Sequence, residues 1–162
     1  MGYRISDNTR CGVIGYGTWA TALVHTLELN KKEIWWHIRN EEVLEGLLTE
    51  GRNVKYLNDV EFDMSLIHAT QDLNEVIRNC EIILVAAPSA YLKTFMSDLT
   101  ESLEGKFILS ATKGIIPDDY ITITEYFNRT YNLPYSNIGV ISGPSHAEEV
   151  SRDRLSYLTV AC

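Results

Sequence analysis

The sequence has 162 residues, a length that fits one domain of ordinary size. Its hydrophobic content of 45% and charged content of 22% are typical of a soluble globular protein. A formal net charge of −8 argues against a nucleic-acid-binding surface, which needs a basic stripe. The net charge does not argue against binding of a small anionic ligand, because backbone N–H groups and a few fixed cations can bind such a ligand locally.

The N-terminal stretch and the cysteines bear on the cellular setting. The opening residues, MGYRISDNTR, are polar and predict no secretory signal, and no apolar run approaches the roughly 18 residues of a membrane span. Three cysteines, Cys11, Cys80 and Cys162, are far apart and lack the spacing of metal ligands. We therefore expect a reducing, cytoplasmic setting, buried thiols at Cys11 and Cys80, and neither a metal nor a membrane span.

The first part of the chain alternates short apolar runs with longer amphipathic ones. The pattern predicts a strand over residues 11–15, followed by a helix whose apolar face carries Ala20, Leu23, Val24 and Leu27. It then predicts a strand over 33–38 and a second helix whose apolar face carries Val43, Leu44, Leu47 and Leu48. An irregular segment over 51–65 leads to a third strand over 66–70. Gly51 is expected to end the second helix. Asp72 and Glu75 have the spacing of a capping box, which predicts a short third helix.

The second part continues this alternation. It predicts a continuous apolar strand over 81–88, followed by a helix that Ser89 caps and whose apolar face carries Leu92, Phe95, Met96 and Leu99. A strand over 106–111 and a helix from Pro117 through about Asn128 come next, with Asp118 and Asp119 in the first turn of that helix. Two further strands are predicted over 137–142 and 155–161. This order predicts an α/β fold with a doubly wound, mostly parallel sheet and helices on both faces. Ligands bind beyond the carboxyl ends of the strands in such sheets.

The segment after the first predicted strand reads GYGTWA, which matches the dinucleotide-binding pattern G-x-G-x-x-A. Gly15 permits the tight turn, Gly17 lets a pyrophosphate approach the backbone, and Ala20 is small enough for close helix–strand packing. The N-terminus of the following helix then directs its N–H groups at the phosphates. A merely tight strand–helix turn is the alternative interpretation.

The end of the second predicted strand carries Arg39 and Asn40, where such sites commonly place Asp or Glu against the adenosine ribose. A guanidinium pairs with a 2′-phosphate or stacks on adenine. This favours NADP, or a site that accepts both cofactors, over strict NAD. A solvated arginine at a strand end is the alternative.

The segment ISGPSHAEEV, residues 141–150, contains Ser145 next to a histidine and suggests a hydrolase at first sight. It lacks the final glycine of the nucleophile elbow G-x-S-x-G, and His146 is poorly placed as a base because neighbours at a helix start point in different directions. We expect instead that Pro144 takes the first position of a helix, and that Gly143 and Ser145 hold a ligand.

Taken together, these strand-end segments resemble the N-terminal domain of NAD(P)-dependent glycerol-3-phosphate dehydrogenases. The matching segments, spread over about residues 11–160, are GYGTWATAL, IRN, NVKYL with ATQDL, VAAPS, SATKG and SGPSHAEEV. The last two are the most specific to this family. Ala20 departs from the family's usual glycine, and YLND lacks the usual proline.

The resemblance implies an oxidoreductase that interconverts dihydroxyacetone phosphate and sn-glycerol 3-phosphate with NAD(P)H, with NADP favoured, and that feeds glycerophospholipid synthesis. It implies a Rossmann-like cofactor domain over residues 1–162. It also implies a helical C-terminal domain, not contained in this sequence, that supplies the principal base beyond Cys162. The implied cofactor-binding residues are Gly15, Gly17, Thr18, Trp19, Arg39, Tyr56, Pro88, Lys113 and Ala147, and the implied substrate-binding residues are Lys113, Gly143 and Ser145.

Alternative readings remain at this stage. Trp19 is either a cofactor contact or a core tryptophan. The expected role of Lys113 is to place a fixed positive charge near the reacting oxygen or the phosphate of the substrate. A stand-alone dinucleotide-binding or redox-sensing module without catalysis, and a reductase of another hydroxy acid, share the expected fold. The expected partner is a small phosphorylated substrate rather than nucleic acid, and a homodimer of the full-length protein stays open.

Overall fold

The computed structural model describes residues 6, 8–30, 32–152 and 154–162, so most of the polar N-terminal stretch lies outside the described residues. The described strands are β1 Cys11–Ile14, β2 Ile34–His37, β3 Ile67–Thr70, β4 Ile82–Val85, β5 Phe107–Ser110, β6 Ile115–Ile116, β7 Ile121–Thr122, β8 Ile138–Ser142 and β9 Thr159–Ala161. The described helices are α1 Thr18–Leu29, α2 Glu41–Glu50, α3 Leu73–Asn79, α4 Leu92–Met96, α5 Ile123–Tyr131 and α6 Ala147–Val150. None of these helices combines the length and the apolar character that crossing a bilayer requires.

Seven of the described strands form one sheet in the order β3-β2-β1-β4-β5-β8-β9. Neighbours are parallel from β3 to β8, and β9 runs antiparallel to β8. The order of the strands reverses between β1 and β4, which is the switch point of a doubly wound sheet. The predicted fold class, a doubly wound and mostly parallel α/β sheet, is confirmed.

The parallel register brings the carboxyl ends of the central strands to one edge of the sheet. Ile14 at the end of β1 pairs with His37 of β2 and with Val85 of β4, and Val85 pairs with Ser110 of β5. The loops that follow these strands therefore start side by side.

Alternate residues of the central strands pack against helices on opposite faces of the sheet. On one face Val13 and Leu84 pack with the buried residues of α1 and α2. On the other face Ile14, Ile83 and Ile108 pack with those of α3, α4 and α5. Each of these aliphatic side chains is almost fully buried and stabilises the fold by about 1.5–3 kcal/mol relative to exposure.

The second helix ends where the sequence predicts, but its apolar face differs. Gly51 adopts a φ of 68° and donates its N–H to the carbonyl oxygen of Leu47 at 3.0 Å, which closes α2. Leu48, predicted on the core face, is 59% exposed. Gly46 is buried instead, and a side chain there would collide with Val54. The loop after α2 thus packs directly on the helix backbone.

The third helix is capped through an additional residue. Asp72 accepts a hydrogen bond from the N–H of Asn74 at 2.9 Å, as a cap should. Glu75 does not reach back to the backbone of Asp72. It accepts from the hydroxyl of Thr70 at 2.7 Å, and that hydroxyl oxygen accepts from the N–H of Asp72 at 3.1 Å. The predicted reciprocal capping box is therefore wrong, because Thr70 lies between its two partners.

The prediction of a helix starting at Pro117 is wrong. Residues 117–120, which include Asp118 and Asp119, form the turn between β6 and β7, and these two strands pair antiparallel. Proline fits the second position of a turn as well as the first position of a helix. The hairpin also buries Ile116, which is 1% exposed.

The fifth helix begins at Ile123 and is started by a different residue, Thr122. The Thr122 hydroxyl accepts from the N–H of Glu125, while the Glu125 carboxylate accepts from the N–H of Thr122. This is a complete capping box, which satisfies two backbone donors at the helix start.

The two short helices near the sheet edge begin later than predicted. Ser89 lies in a 3-10 turn, Ser89–Tyr91, and the residue before α4 is Tyr91, so Ser89 is not its cap. Pro144 is not the first residue of α6, because that helix begins at Ala147.

Candidate functional site

Two clefts open at the edge of the sheet where the parallel strands end. The main cleft, of about 480 Å³, lies over the ends of β4 and β5 and the starts of α1 and α6. The side cleft, of about 330 Å³, lies between the ends of β1 and β2 and helix α4. Gly17 and Pro88 line both clefts, which therefore meet at the turn between β1 and α1. Doubly wound sheets bind their ligands at this switch point.

The predicted site residues divide between the two clefts. Those that line the main cleft are Gly17, Thr18, Trp19, Pro88, Lys113, Ser145 and Ala147. Those that line the side cleft are Gly17, Arg39, Tyr56 and Pro88. Gly15 and Gly143 are not among the lining residues, and at both the backbone requires glycine, with φ values of 116° and 148°.

The glycine turn, residues 15–17, has all of its carbonyl oxygens bonded to the protein interior. The bonds are Trp36 Nε1 to the oxygen of Gly15 at 2.6 Å, Asn53 Nδ2 to that of Tyr16 at 2.9 Å, and Thr21 Oγ1 to that of Gly17 at 2.9 Å. The peptide bonds are trans, so the N–H of the next residue points the opposite way. The N–H groups that follow these carbonyls are thereby directed away from the interior.

The two glycines of the turn serve different physical needs. A Cβ at Gly15 would lie 2.8 Å from the backbone carbonyl of Ala86, and the φ of 116° is unfavourable for any side chain. Gly17 has an ordinary φ of −74°, and a Cβ there would meet nothing within 4 Å. Gly15 is therefore needed for close strand packing, whereas the space at Gly17 is open to the clefts.

The N-terminus of α1 has no side-chain cap among the described residues. Gly17 is the N-cap and offers no side-chain bond, and the first turn of this 12-residue helix contains no acidic residue. The first N–H groups of a helix lack intrahelical acceptors and carry a partial positive charge. This end of α1 therefore fits a phosphate or pyrophosphate.

The walls of the side cleft are flat and mostly aromatic. The ring of Tyr16 lies with its centroid 6.4 Å from that of Tyr56 and 5.8 Å from that of Phe95. The Arg39 guanidinium carbon lies 5.6 Å from the centroid of Phe95, and Arg39 Nη1 donates to the carbonyl oxygen of Thr94 at 2.6 Å. Arg39 is exposed, yet both contacts hold it against α4. The guanidinium has further donors that a ligand can use.

The main cleft carries Lys113 directly after the end of β5. The hydroxyl of Thr112 donates to the carbonyl oxygen of Ala87 at 2.9 Å and lies 3.2 Å from that of Val85, which ties the end of β5 to that of β4. Gly114 follows with a φ of 91° and turns the chain away. The lysine is exposed and lines the cleft.

Gly143 and Ser145 both contact the segment before β9. The Ser145 hydroxyl donates to the carbonyl oxygen of Tyr157 at 2.9 Å, and a Cβ at Gly143 would collide with the same carbonyl group. Ser145 is 7% exposed. Its hydroxyl proton is thus engaged by the backbone rather than by His146, which argues further against a serine hydrolase. The substrate-binding role of both residues stays a prediction.

Trp19 fits both of its sequence interpretations. It is half-buried and packs against the small cluster of Ala22, Ala147 and Val150, through which α6 rests on α1. It also lines the main cleft. One tryptophan therefore joins the two helices and presents a surface to the ligand side.

Three histidines lie outside the residues that line the two clefts. His25 Nδ1 lies 3.3 Å from a carboxylate oxygen of Glu28, and His68 Nε2 lies 2.7 Å from one of Glu33. His37 is 2% exposed, and its Nδ1 has no hydrogen-bond partner in the described part of the chain. Burial lowers the pKa of His37 to about 4, although a bond to the backbone of Gln71 opposes this.

The cysteine thiols differ in burial. Cys80 is buried, which raises its pKa to about 12. Cys11 is only half-buried, and burial likewise raises the pKa of its thiol. The expectation of a buried thiol is confirmed for Cys80 and is too strong for Cys11.

Sequence reasoning missed the residues that hold the glycine turn. Trp36 belongs to a predicted strand, and nothing in the sequence indicates which atom accepts the hydrogen bond of its Nε1–H. Asn53 lies in the segment NVKYL, which carries the resemblance, but it has no motif role of its own. An asparagine that is 0% exposed is the structural signal that identifies it.

Comparisons with known proteins agree with this geometry. The sequence model described as NAD-dependent glycerol-3-phosphate dehydrogenase N-terminus matches residues 10–162. A curated glycerol-3-phosphate dehydrogenase (NAD(P)+) of Macrococcus caseolyticus is 30% identical over 151 residues, which are 92% of this chain and 45% of that protein. One of Staphylococcus epidermidis is 34% identical over 140 residues, 85% of this chain and 42% of that protein. The chain spans less than half the length of these relatives.

Solved structures show the same fold. The glycerol-3-phosphate dehydrogenase of Plasmodium falciparum superposes with a TM-score of 0.81 at 24% identity, over 94% of this chain and 45% of that one. That of Saccharomyces cerevisiae gives a TM-score of 0.80 at 22% identity, over 94% of this chain and 47% of that one.

Replacing each of the two glycines with alanine should have a different effect on stability. Gly15→Ala should lower the free energy of unfolding by about 2–4 kcal/mol, because it adds both a strained φ and a backbone collision. Gly17→Ala should change it by less than about 1 kcal/mol, since the added methyl group meets open space. Urea denaturation of both variants measures this. Equal losses would contradict the distinction between them.

The buried histidine predicts a pH-dependent stability. The pKa of His37 is about 4 in the folded protein and about 6.5 when unfolded, so the unfolded state binds the proton more readily. The stabilising effect of a neutral His37 is complete above pH 6.5 and is lost as the pH falls towards 4. Denaturation of the wild type and of His37→Gln should show a stability difference that changes by about 3 kcal/mol over this range. A constant difference would contradict the buried neutral state.

Proposed function

This chain belongs to the NAD-dependent glycerol-3-phosphate dehydrogenase family, and from that premise we propose that it binds NADP(H) or NAD(H) for a hydride transfer between dihydroxyacetone phosphate and sn-glycerol 3-phosphate. The observation that carries the proposal is the junction of the two clefts at Gly17. The side cleft has aromatic walls and an arginine, the open N-terminus of α1 comes next, and the main cleft on its other side has a lysine. A dinucleotide has matching parts in the same order: an adenosine half, a central pyrophosphate and a nicotinamide half.

The residues present fit the cofactor. The open space at Gly17 accepts a pyrophosphate against the backbone, and Gly17 and Thr18 supply N–H donors. The rings of Tyr16 and Tyr56, with Arg39, suit the adenosine half in the side cleft. Trp19, Pro88 and Ala147 suit the nicotinamide half in the main cleft. When bound, the cofactor supplies or accepts the hydride.

The main cleft offers surroundings suited to this chemistry. Its lining includes the small, buried apolar residues Ala86, Ala87 and Ala111, which leave space for a ligand. We assign Lys113 to hold a positive charge near the substrate's phosphate or its reacting oxygen. Gly143 and Ser145 are assigned to the substrate side through backbone groups and the hydroxyl oxygen.

The activity is proposed for the whole protein, because the chain spans less than half the length of its curated relatives. From the resemblance we infer that the principal base lies beyond Cys162. The resemblance also supports a cytoplasmic enzyme that supplies sn-glycerol 3-phosphate to glycerophospholipid synthesis. Arg39 at the side cleft supports a preference for NADP.

Cofactor titration tests the proposal directly. The 162-residue chain should bind NADPH saturably in isothermal titration calorimetry, and Gly17→Ala should bind at least about tenfold more weakly because its methyl group takes the space of the pyrophosphate. A folded chain that binds neither NADPH nor NADH, or a Gly17→Ala variant of unchanged affinity, would contradict the proposal.

Turnover separates the enzyme from a module that only binds the dinucleotide. The 162-residue chain should oxidise NADPH negligibly with dihydroxyacetone phosphate, whereas a protein of the relatives' full length that contains this chain should do so rapidly. A loss of this second activity in Lys113→Ala that persists at saturating NADPH supports substrate binding by Lys113 in addition to its implied contact with the cofactor. A full-length protein that binds NADPH without turnover would favour the module.

Arg39 predicts the choice of cofactor. Arg39→Asp should lower the ratio of NADPH affinity to NADH affinity by about tenfold or more, because a carboxylate repels the 2′-phosphate and accepts from the ribose 2′-hydroxyl. Arg129→Asp is a matched control, since Arg129 is an exposed arginine on α5 that pairs with Glu125. Equal ratios in the wild type and Arg39→Asp would contradict this role of Arg39.

A further inference from the structure

We propose that Asn53 is a positioning residue for dinucleotide binding, because its side chain fixes the glycine turn and the loop of Tyr56 relative to each other. The inference rests on the proposed function, since it names the residue that sets the binding geometry. Asn53 touches neither cleft itself. It acts through the two segments that do.

Asn53 uses the full hydrogen-bonding capacity of its amide. Its Nδ2 donates to the carbonyl oxygen of Tyr16 and to Oγ1 of Thr21, both at 2.9 Å. Its Oδ1 accepts from the N–H groups of Lys55 and Tyr56, both at 3.1 Å. A primary amide has two N–H donors and one oxygen with two lone pairs, so these four bonds satisfy it completely. The residue is 0% exposed, and water cannot replace a lost partner without rearrangement.

The donor side of Asn53 controls most of the glycine turn. The hydroxyl proton of Thr21 is used in the bond to the carbonyl oxygen of Gly17, so Thr21 Oγ1 must accept from Asn53. Asn53 therefore holds the carbonyl of Tyr16 directly and supports that of Gly17 through Thr21. Each trans peptide turns as a unit, so the bond from Asn53 to the Tyr16 carbonyl orients the N–H of Gly17. The Gly17 carbonyl also accepts from the backbone N–H of Thr21 at 2.9 Å, so Asn53 adds to the hold on the N–H of Thr18 without being its only support.

The acceptor side of Asn53 shapes the wall of the side cleft. Its two bonds to backbone N–H groups form a turn that places Tyr56 in that wall. The next residue, Leu57, has a φ of 52°, a conformation that such a turn must support. The Tyr56 ring then lies 6.4 Å from that of Tyr16. One side chain thus ties the phosphate-facing turn to the opposite wall.

Two substitutions test this link. Asn53→Asp keeps the size and both acceptors but replaces both donors with a charged oxygen that repels the carbonyl of Tyr16. Thr21→Val keeps the shape of Thr21 and removes its hydroxyl, whereas Thr21→Ser keeps the hydroxyl. We expect the dissociation constant for NADPH to rise about tenfold or more in Asn53→Asp and severalfold in Thr21→Val, with Thr21→Ser within twofold of the wild type.

A matched control separates positioning from general destabilisation. The Nδ2 of Asn128 donates to the carbonyl oxygen of Leu133 at 2.8 Å, on a helix away from both clefts. Asn128→Asp should lower the melting temperature, as Asn53→Asp does, but leave the NADPH dissociation constant unchanged. Binding is measured by calorimetry below the melting temperature of each variant.

The outcomes distinguish this inference from the proposed function. A wild-type chain that does not bind NADPH overturns the proposed function. A wild-type chain that binds NADPH, together with a folded Asn53→Asp variant of equal affinity, overturns the positioning role alone. Should Asn53→Asp not fold, the Thr21 pair decides, because equal affinities of the valine and serine variants would overturn the proposal. Weaker binding in the valine variant alone supports it.

Discussion

The glycine turn between β1 and α1 is the element on which the rest of the site depends. Its carbonyl oxygens are all held from the interior by Trp36, Asn53 and Thr21, and Gly15 packs against the backbone of Ala86. With these carbonyls fixed inwards, the N–H groups of Tyr16, Gly17 and Thr18 point away from the interior. A helix N-terminus attracts an anion in any protein, but here its approach is preorganised before the ligand arrives.

The sheet places the other functional groups around this turn. Since β1 lies between β2 and β4, the turn has Arg39 on one side and the end of β4 on the other. Thr112 ties the end of β5 to that of β4, which holds Lys113 at the far wall of the main cleft. The side cleft and the main cleft thus differ in chemistry and share two lining residues, Gly17 and Pro88. An elongated ligand with two ring systems and a central anion fits this arrangement.

Sequence reasoning succeeded where one local cause was sufficient. The alternation of apolar runs and amphipathic segments predicts the doubly wound sheet, and Gly51 ends α2 as expected. It failed where two local structures suited the same residues. Pro117 fits a helix start and a turn equally well, and the pairing of β6 with β7 decided between them. Leu48 has the helical spacing of a core residue, yet it is exposed, while Gly46 faces Val54 of the following loop.

The sequence by itself determined the fold class and the position of the glycine turn, and most of the site residues it predicts line one of the clefts, because periodicity and glycine spacing are local properties of the chain. Only the tertiary structure decided which groups hold that turn. Trp36 and Asn53 are separated from their partners by 21 and 37 residues, and no local pattern marks such pairs. It likewise decided that the Ser145 hydroxyl donates to Tyr157. A hydrogen bond depends on the direction of one atom towards another, and folding sets that direction.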